Sequence, residues 1–189
     1  MAILRISDSS YIGKGKNQKV YFHPNFPQRC IKINYSGQNR EQVEEPKIYD
    51  RLQKSNINWT HLAKFYSECK TNLGVGLIFE LIKDYDGTVS KTLNKYFRSN
   101  YINFEAPYLK AELSILRQFL LKQSVVLREL SENNILVQYF NKDQYRLVVI
   151  DGLGHNEFIS FFTLSRTLMR MKIERRWKKA IEILKSRFS

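Results

Sequence analysis

Cysteine, proline and glycine are scarce: two, four and eight in 189 residues. Cys30 and Cys69 supply neither a disulfide framework nor the spacing of a zinc site. Each lies in a strand-like run, where a thiol packs as a small apolar group. No apolar run approaches the ~18–20 residues needed to span a bilayer. The opening MAILRISDSS has neither the long apolar core nor the cleavage site of a secretory signal. The expectation is a reducing, cytoplasmic setting. Histidine is scarce as well. His23 and His61 read as turn residues and His155 as a loop residue, so no Ser-His-Asp order emerges. Repeats and low-complexity segments are absent.

What is present suits a folded chain. Hydrophobic residues make up 43% and charged residues 26%, the balance of a globular protein. Aromatic residues reach 13%, which favours a packed core. The length allows one domain, or two small lobes sharing a core. Lys and Arg outnumber Asp and Glu by 31 to 18, a net charge of +13. Between Arg170 and Arg187 eight residues are basic and two acidic. Such a surplus favours polyanionic partners: nucleotide, nucleic acid, a phosphorylated substrate or an anionic membrane surface.

Along the chain, ILRI, KVYF and RCIKINY read as strands separated by a glycine-containing turn at Gly13–Gly15 and the HPNFPQ turn. A short helix is expected over Arg40–Leu52, with Pro46 acceptable only in its first turn. LAKFYSECKT and VGLIFELI add two strands, giving an antiparallel sheet of about five with one helix after the third. The character changes near Lys83–Gly87. SKTLNKYF reads as a short helix and Pro107–Val126 as a longer one with a leucine stripe. NILVQYF and YRLVVI form a hairpin around Asn141–Gln144. The last stretch is helical, with Ile173, Trp177, Ala180, Ile181, Leu184 and Phe188 on one face and basic residues opposite. The expected division is 1–83, rich in strands, and 84–189, rich in helices.

Several residues in this pattern carry chemistry. Gly13 and Gly15 would let backbone amides approach phosphate, although a plain hairpin turn uses glycines too. Lys32 lies inside the apolar run CIKI and needs an anionic partner or a route to solvent. Glu45, on the following helix, is the candidate partner, with Glu41 and Glu44 as rivals. Asn134 directly precedes one strand of the hairpin and Asp151 ends the other. Two oxygen ligands so placed can hold Mg²⁺, which keeps waters and phosphate oxygens in its shell. Singly, each is an ordinary turn residue. Glu129 lies five residues before Asn134.

Taken in order, these features form the sequential signature of the protein kinase-like fold, which the chain resembles from about Ser10 to Gly154. LRELSENNILV is similar, register for register, to the kinase catalytic loop H-R-D-L-K-P-E-N-I-L-V, and VVIDGLG to the strand bearing Asp-Phe-Gly. More closely, the chain resembles the YrbL family, small bacterial proteins linked to the PhoP regulatory network. The resemblance rests on YIGKGKNQKVYFHP, QRCIKINY, GVGLIFELIKDYDGTVSKTL, NNILV, IDGLG and the final ERRWKK, and covers nearly the whole chain.

The resemblance implies an α+β fold: a minimal two-lobed protein kinase-like arrangement with an antiparallel β N-lobe carrying one helix and a small helical C-lobe. It implies ATP and Mg²⁺ as cofactors, with an unidentified phosphate acceptor or regulatory protein as partner. Gly13 and Gly15 would cover the phosphates, and Lys32 would touch them while pairing with Glu45. Glu80–Ile82 would offer backbone groups to adenine. Asn134 and Asp151 would hold Mg²⁺, and Glu129 would stand where kinases have the catalytic Asp. The departures are Gln18 for the third loop glycine, Leu127 for the His, Glu129 for the Asp, and Asp151-Gly152-Leu153-Gly154 for Asp-Phe-Gly. Only residues 155–189 follow, too few for a peptide-binding lobe. The alternatives are a pseudokinase acting as a nucleotide sensor or scaffold, and a basic binder of nucleic acid or membrane surface through residues 170–187.

Overall fold

The computed structural model describes residues 3–35, 40–153 and 166–188. The chain divides into two compact units, one comprising residues 1–59 and 63–82, the other 60–62 and 83–189. The fold is mixed α+β, with an antiparallel five-stranded sheet in the first unit and four α-helices among the described residues.

In the first unit the strands are β1 (Tyr11–Lys14), β2 (Gln18–Phe22), β3 (Arg29–Asn34), β4 (Phe65–Thr71) and β5 (Gly74–Glu80), in the order β1-β2-β3-β5-β4. Helix α1 (Arg40–Lys54) is inserted between β3 and β4 in the chain. The central strand β3 is buried from Cys30 to Ile33, so both of its faces are covered. Ile31 and Ile33 join Ile6, Tyr21 and Ile78 in one apolar cluster. On the opposite face Phe79 meets Tyr49 of α1 edge-on at 5.2 Å, and Phe65 packs on both rings. Period-two alternation therefore sends Lys32 to the helix-covered face, opposite Val20 and Leu77.

Three expectations are corrected here. ILRI is not a strand: Leu4 makes a single bridge to Thr71, and the first strand starts at Tyr11. Gly13 consequently lies inside β1, beside a bulge, and only Gly15 belongs to the turn. Pro46 sits six residues into α1 rather than in its first turn. The helix forgoes one backbone bond there, while the packing of Tyr49 and Leu52 behind it retains the helical face.

The second unit is built on a three-stranded sheet of β6 (Lys91–Thr92), β7 (Ile135–Tyr139) and β8 (Tyr145–Val149), ordered β6-β7-β8. The expected helix at SKTLNKYF starts three residues late, as α2 (Leu93–Arg98), because Lys91 and Thr92 pair with Val137 and Leu136. Thr92 then caps the helix through the Lys95 amide. Helix α3 (Pro107–Gln123) begins with proline in its first turn and ends where Ser124 turns left-handed. Helix α4 (Arg166–Phe188) buries Met169, Ile173, Ala180 and Leu184, while Trp177, Ile181 and Phe188 are half-buried.

Strand β8 is an edge, and its outward backbone groups are consumed. The Tyr108 hydroxyl donates to the Tyr145 carbonyl at 3.1 Å and accepts the Tyr145 amide at 3.3 Å. One turn along α3, Glu112 accepts the Leu147 amide, and the Leu147 carbonyl meets His61 Nδ1 at 2.8 Å. The Val149 amide bonds the His61 carbonyl at 3.0 Å. Residues 145, 147 and 149 all point their backbone the same way, and helix spacing puts Tyr108 and Glu112 on one face to meet them.

Burial pushes the Glu112 carboxyl pKa up, offset in part by the Leu147 amide and Arg146. Its Oε2 has no partner among the described residues. A raised folded-state pKa adds stability below the unfolded value near 4.5, and that stability is lost as pH rises through the folded value. Burial lowers the His61 pKa below 6.5, so its contribution has the opposite sign, present above that pH and lost as pH falls through the folded value. Glu112→Gln is therefore expected to raise the melting temperature at pH 8 by roughly 2–4 °C, the scale of ~1 kcal/mol for a chain this size. The gain should vanish below pH 4.5. Thermal denaturation across pH checks this, and a gain that persists undiminished in acid would contradict the account.

Candidate functional site

The β7–β8 hairpin gathers three of the residues singled out in the sequence. After α3, Val125, Val126 and Leu127 enter the core. The chain then turns at Ser131–Asn134, where the Asn134 amide bonds the Ser131 carbonyl at 2.9 Å, and enters β7. The return strand β8 ends beside it. The Ile150 amide bonds the Asn134 carbonyl at 2.9 Å, and the Arg128 amide bonds the Gly152 carbonyl at 2.6 Å. Leu127 bridges Leu153. Residues 127–134 and 150–153 are thus laced together by backbone bonds.

Gly152 is the tightest point. Its φ is +85°, and a Cβ there would lie 2.5 Å from the Glu129 carbonyl oxygen and 3.2 Å from Asn134 Nδ2. Only glycine meets both demands. Its amide donates to Asp151 Oδ1 at 2.6 Å. Glu129, Asn134 and Asp151 therefore all border Gly152. Glu129 is exposed, and Asn134 and Asp151 are half-buried.

An amide oxygen and a carboxylate are hard donors, and a pair of them suits Mg²⁺, which fills its shell with water or phosphate. Among the described residues no cluster of three or more His, Cys, Asp or Glu could hold a metal by itself. The donor set fits a cation brought with phosphate better than one held in an all-protein cage.

The first unit holds the other predicted residues. Lys32 is buried, and its Nζ lies 4.3 Å above the Phe79 ring. Glu45 is buried on α1, one turn before Tyr49, which packs against that same ring. The side chains of Glu41 and Glu44, the rivals, lie outside what the structure describes, and Gly154 and His155 lie outside the described residues altogether. The Gly15 amide is committed to the Gln18 carbonyl at 2.8 Å, and neither Gly13 nor Gly15 has a positive φ. The Glu80 and Leu81 amides bond the Lys64 and Gln28 carbonyls at 2.8 and 2.9 Å, and the Ile82 side chain is buried.

Sequence reasoning passed over Glu132. It is 5% exposed and pairs with Arg187 of α4 at 3.0 Å. The only signal was an acid in a loop, and its partner lies 55 residues away. On α4, Glu174 is held by Arg117 of α3 at 2.7 Å, while Arg175, Lys178, Lys179 and Lys185 are exposed on the outer side.

Gly87 provides an internal control for Gly152, because its φ is +84° and a Cβ there would meet nothing within 4 Å. Gly87→Ala should cost about 1–2 kcal/mol, the left-handed penalty alone. Gly152→Ala should cost clearly more, since backbone must also move. Chemical denaturation of both variants measures the difference, and equal costs would show that the close approach to Glu129 is not constraining.

Comparison with known proteins bears on the chain as a whole. Residues 4–185 match the family model described as "PhoP regulatory network protein YrbL". The chain is 30% identical over 182 residues to "Uncharacterized protein YrbL" of Escherichia coli (strain K12), covering 95% of this chain and 87% of that protein. The protein of the same description from Shigella flexneri matches with the same identity and coverage.

Proposed function

The chain belongs to the YrbL family of PhoP regulatory network proteins, and from that premise we propose that it binds ATP with Mg²⁺ on a two-lobed protein kinase-like scaffold and transfers phosphate to an acceptor. The observation that carries this reading is the convergence of the Glu129 backbone carbonyl and the Asn134 and Asp151 side chains on Gly152. It is supported by the buried Lys32 and Glu45, which lie in the other unit on a sheet-and-helix element of the expected order.

In this reading Asn134 and Asp151 would hold Mg²⁺, which would supply charge neutralisation at the phosphates. Lys32 binds phosphate oxygens, and Glu45 keeps its ammonium aimed. The acceptor oxygen would bond the γ-phosphorus as its bond to the β–γ bridging oxygen breaks and ADP leaves, and the Glu129 carboxylate would accept the hydroxyl proton. Its extra methylene relative to Asp moves that carboxylate by about 1 Å, a displacement that can cost roughly 10²-fold in rate. Phosphoryl transfer depends more on positioning and charge neutralisation than on the base, so slow turnover is the expectation.

One observation favours the second reading, a pseudokinase that senses nucleotide or serves as a scaffold. Leu127, at the position of the kinase His, is buried and belongs to the core rather than to a site. A polyanion contact through the outer side of α4 is compatible with either reading.

Isothermal titration of the full chain with a non-hydrolysable ATP analogue, with and without Mg²⁺, tests the proposal. Mg²⁺-dependent binding should appear. Lys32→Ala should weaken it by about tenfold or more, ~1.4 kcal/mol, and Asp151→Ala should remove its Mg²⁺ dependence. No heat of binding at millimolar nucleotide would sink the enzyme and the nucleotide-sensor readings together. Binding with no phosphate released to any acceptor would leave the pseudokinase.

A further inference from the structure

Helix α4 reaches the back of the loop that carries Glu129 and Asn134 at two points. Arg176 Nη1 donates to the Leu127 carbonyl at 2.6 Å, and Arg187 Nη1 donates to Glu132 Oε1 at 3.0 Å. Beside Arg176, Ile173 and Trp177 share a small crevice with Leu127 and Leu130, and at the far end of the helix Phe188 stacks on Phe97 of α2 at 4.4 Å. Helix α2 completes the clasp. Its Asn94 amide bonds the Glu132 carbonyl at 3.0 Å, and its Asn94 Nδ2 bonds Asn133 Oδ1 at 2.8 Å. Glu132 is thus held at its carboxylate by α4 and at its backbone by α2, two residues before Asn134.

The two arginines have unlike chemistry. Arg176 satisfies a backbone carbonyl, whereas Arg187 compensates a carboxylate that is 7% exposed at its side chain. Only the carboxylate is buried, since the Arg187 side chain is 57% exposed; removing the arginine leaves a buried charge without its ion-pair partner and favours rearrangement around it. The element that would rearrange is the turn Ser131–Asn134, because Glu132 lies inside it.

We propose that Arg187 and Arg176 are positioning residues that, through Glu132 and Leu127, set the geometry of the loop presenting Glu129 and Asn134. The C-terminal helix is the back wall of the site. The functional consequence rests on the metal–nucleotide reading given above, while the mechanical coupling stands apart from it. The basic surplus of α4 divides accordingly: Arg176 and the largely exposed Arg187 hydrogen-bond the loop, while Arg175, Lys178, Lys179 and Lys185 are exposed on the outer side.

The test uses the full chain with Arg187→Gln, Arg187→Lys, Glu132→Gln and the double variant Glu132→Gln/Arg187→Gln. Amide hydrogen exchange is read at Asn94, Arg128 and Asn134, whose amides bond within or onto the loop, alongside Mg²⁺-dependent binding of the ATP analogue. Arg187→Gln should accelerate exchange at these amides about tenfold or more and weaken Mg²⁺-dependent binding about tenfold, with protection in β2 and β3 unchanged. Arg187→Lys should recover most of both. The double variant should lose less than the sum of the single ones, because no buried charge is left alone. Unchanged exchange overturns the coupling. A uniform loss of protection through the second unit also overturns it, since that marks a residue serving stability alone. Accelerated exchange with unaltered binding overturns the positioning role. A wild-type chain that binds no nucleotide defeats the metal–nucleotide reading and with it the site role of the arginines, while exchange still decides whether α4 holds the loop.

Discussion

The antiparallel ladder between β7 and β8 is the constraint on which the second unit depends. Its register pairs Ile135 with Val149, so the residues flanking the pair, Asn134 and Ile150, meet at the open end of the hairpin. A slip of one residue would exchange the faces of both strands and separate Asn134 from Asp151. The apolar residues of the ladder are nearly all buried, with Ile135, Val137 and Leu147 fully so. The hydrophobic pattern that fills the core is therefore the same pattern that fixes where an oxygen donor from each strand ends.

The ladder leaves two exposures, and both are closed by other elements. Its edge is satisfied by Tyr108, Glu112 and His61, a hydroxyl, a carboxylate and an imidazole in place of another strand. This guards against pairing with a second chain, and it places two titratable groups where burial shifts them in opposite directions. Its open end is backed by α2 and α4 through Glu132 and Leu127. The loop bearing Glu129 is exposed on one side and anchored on the other, the combination a site needs if it is to reach a ligand without drifting.

The first unit shows a different economy. Strand β3 is covered on both faces, and one of its buried residues is Lys32. An ammonium in that position must be compensated, and the face it occupies carries the Phe79 ring and borders the helix that buries Glu45. Charge inside an apolar sheet costs stability. The phosphate contact proposed for this lysine would account for its presence.

Much of this was legible in the sequence. Five strands with a helix after the third, the hairpin around Asn141–Gln144 and the final amphipathic helix follow from periodicity and turn residues, because those signals are local. Family membership followed from the order and wording of the motifs. The first strand was misread because ILRI is apolar for another reason: Ile6 belongs to the core cluster and Leu4 packs against it, without a ladder partner beyond one bridge. The sequence also marked Lys32 as a charge inside an apolar run, and Glu129, Asn134 and Asp151 by their order along the chain. It did not determine that Gly152 must be glycine because the Glu129 carbonyl lies where a Cβ would be, nor that Glu132 meets Arg187 across 55 residues. Those facts belong to tertiary structure alone. Contacts between elements far apart in the chain depend on how the faces pack, and no local period in the sequence records which charge will face which.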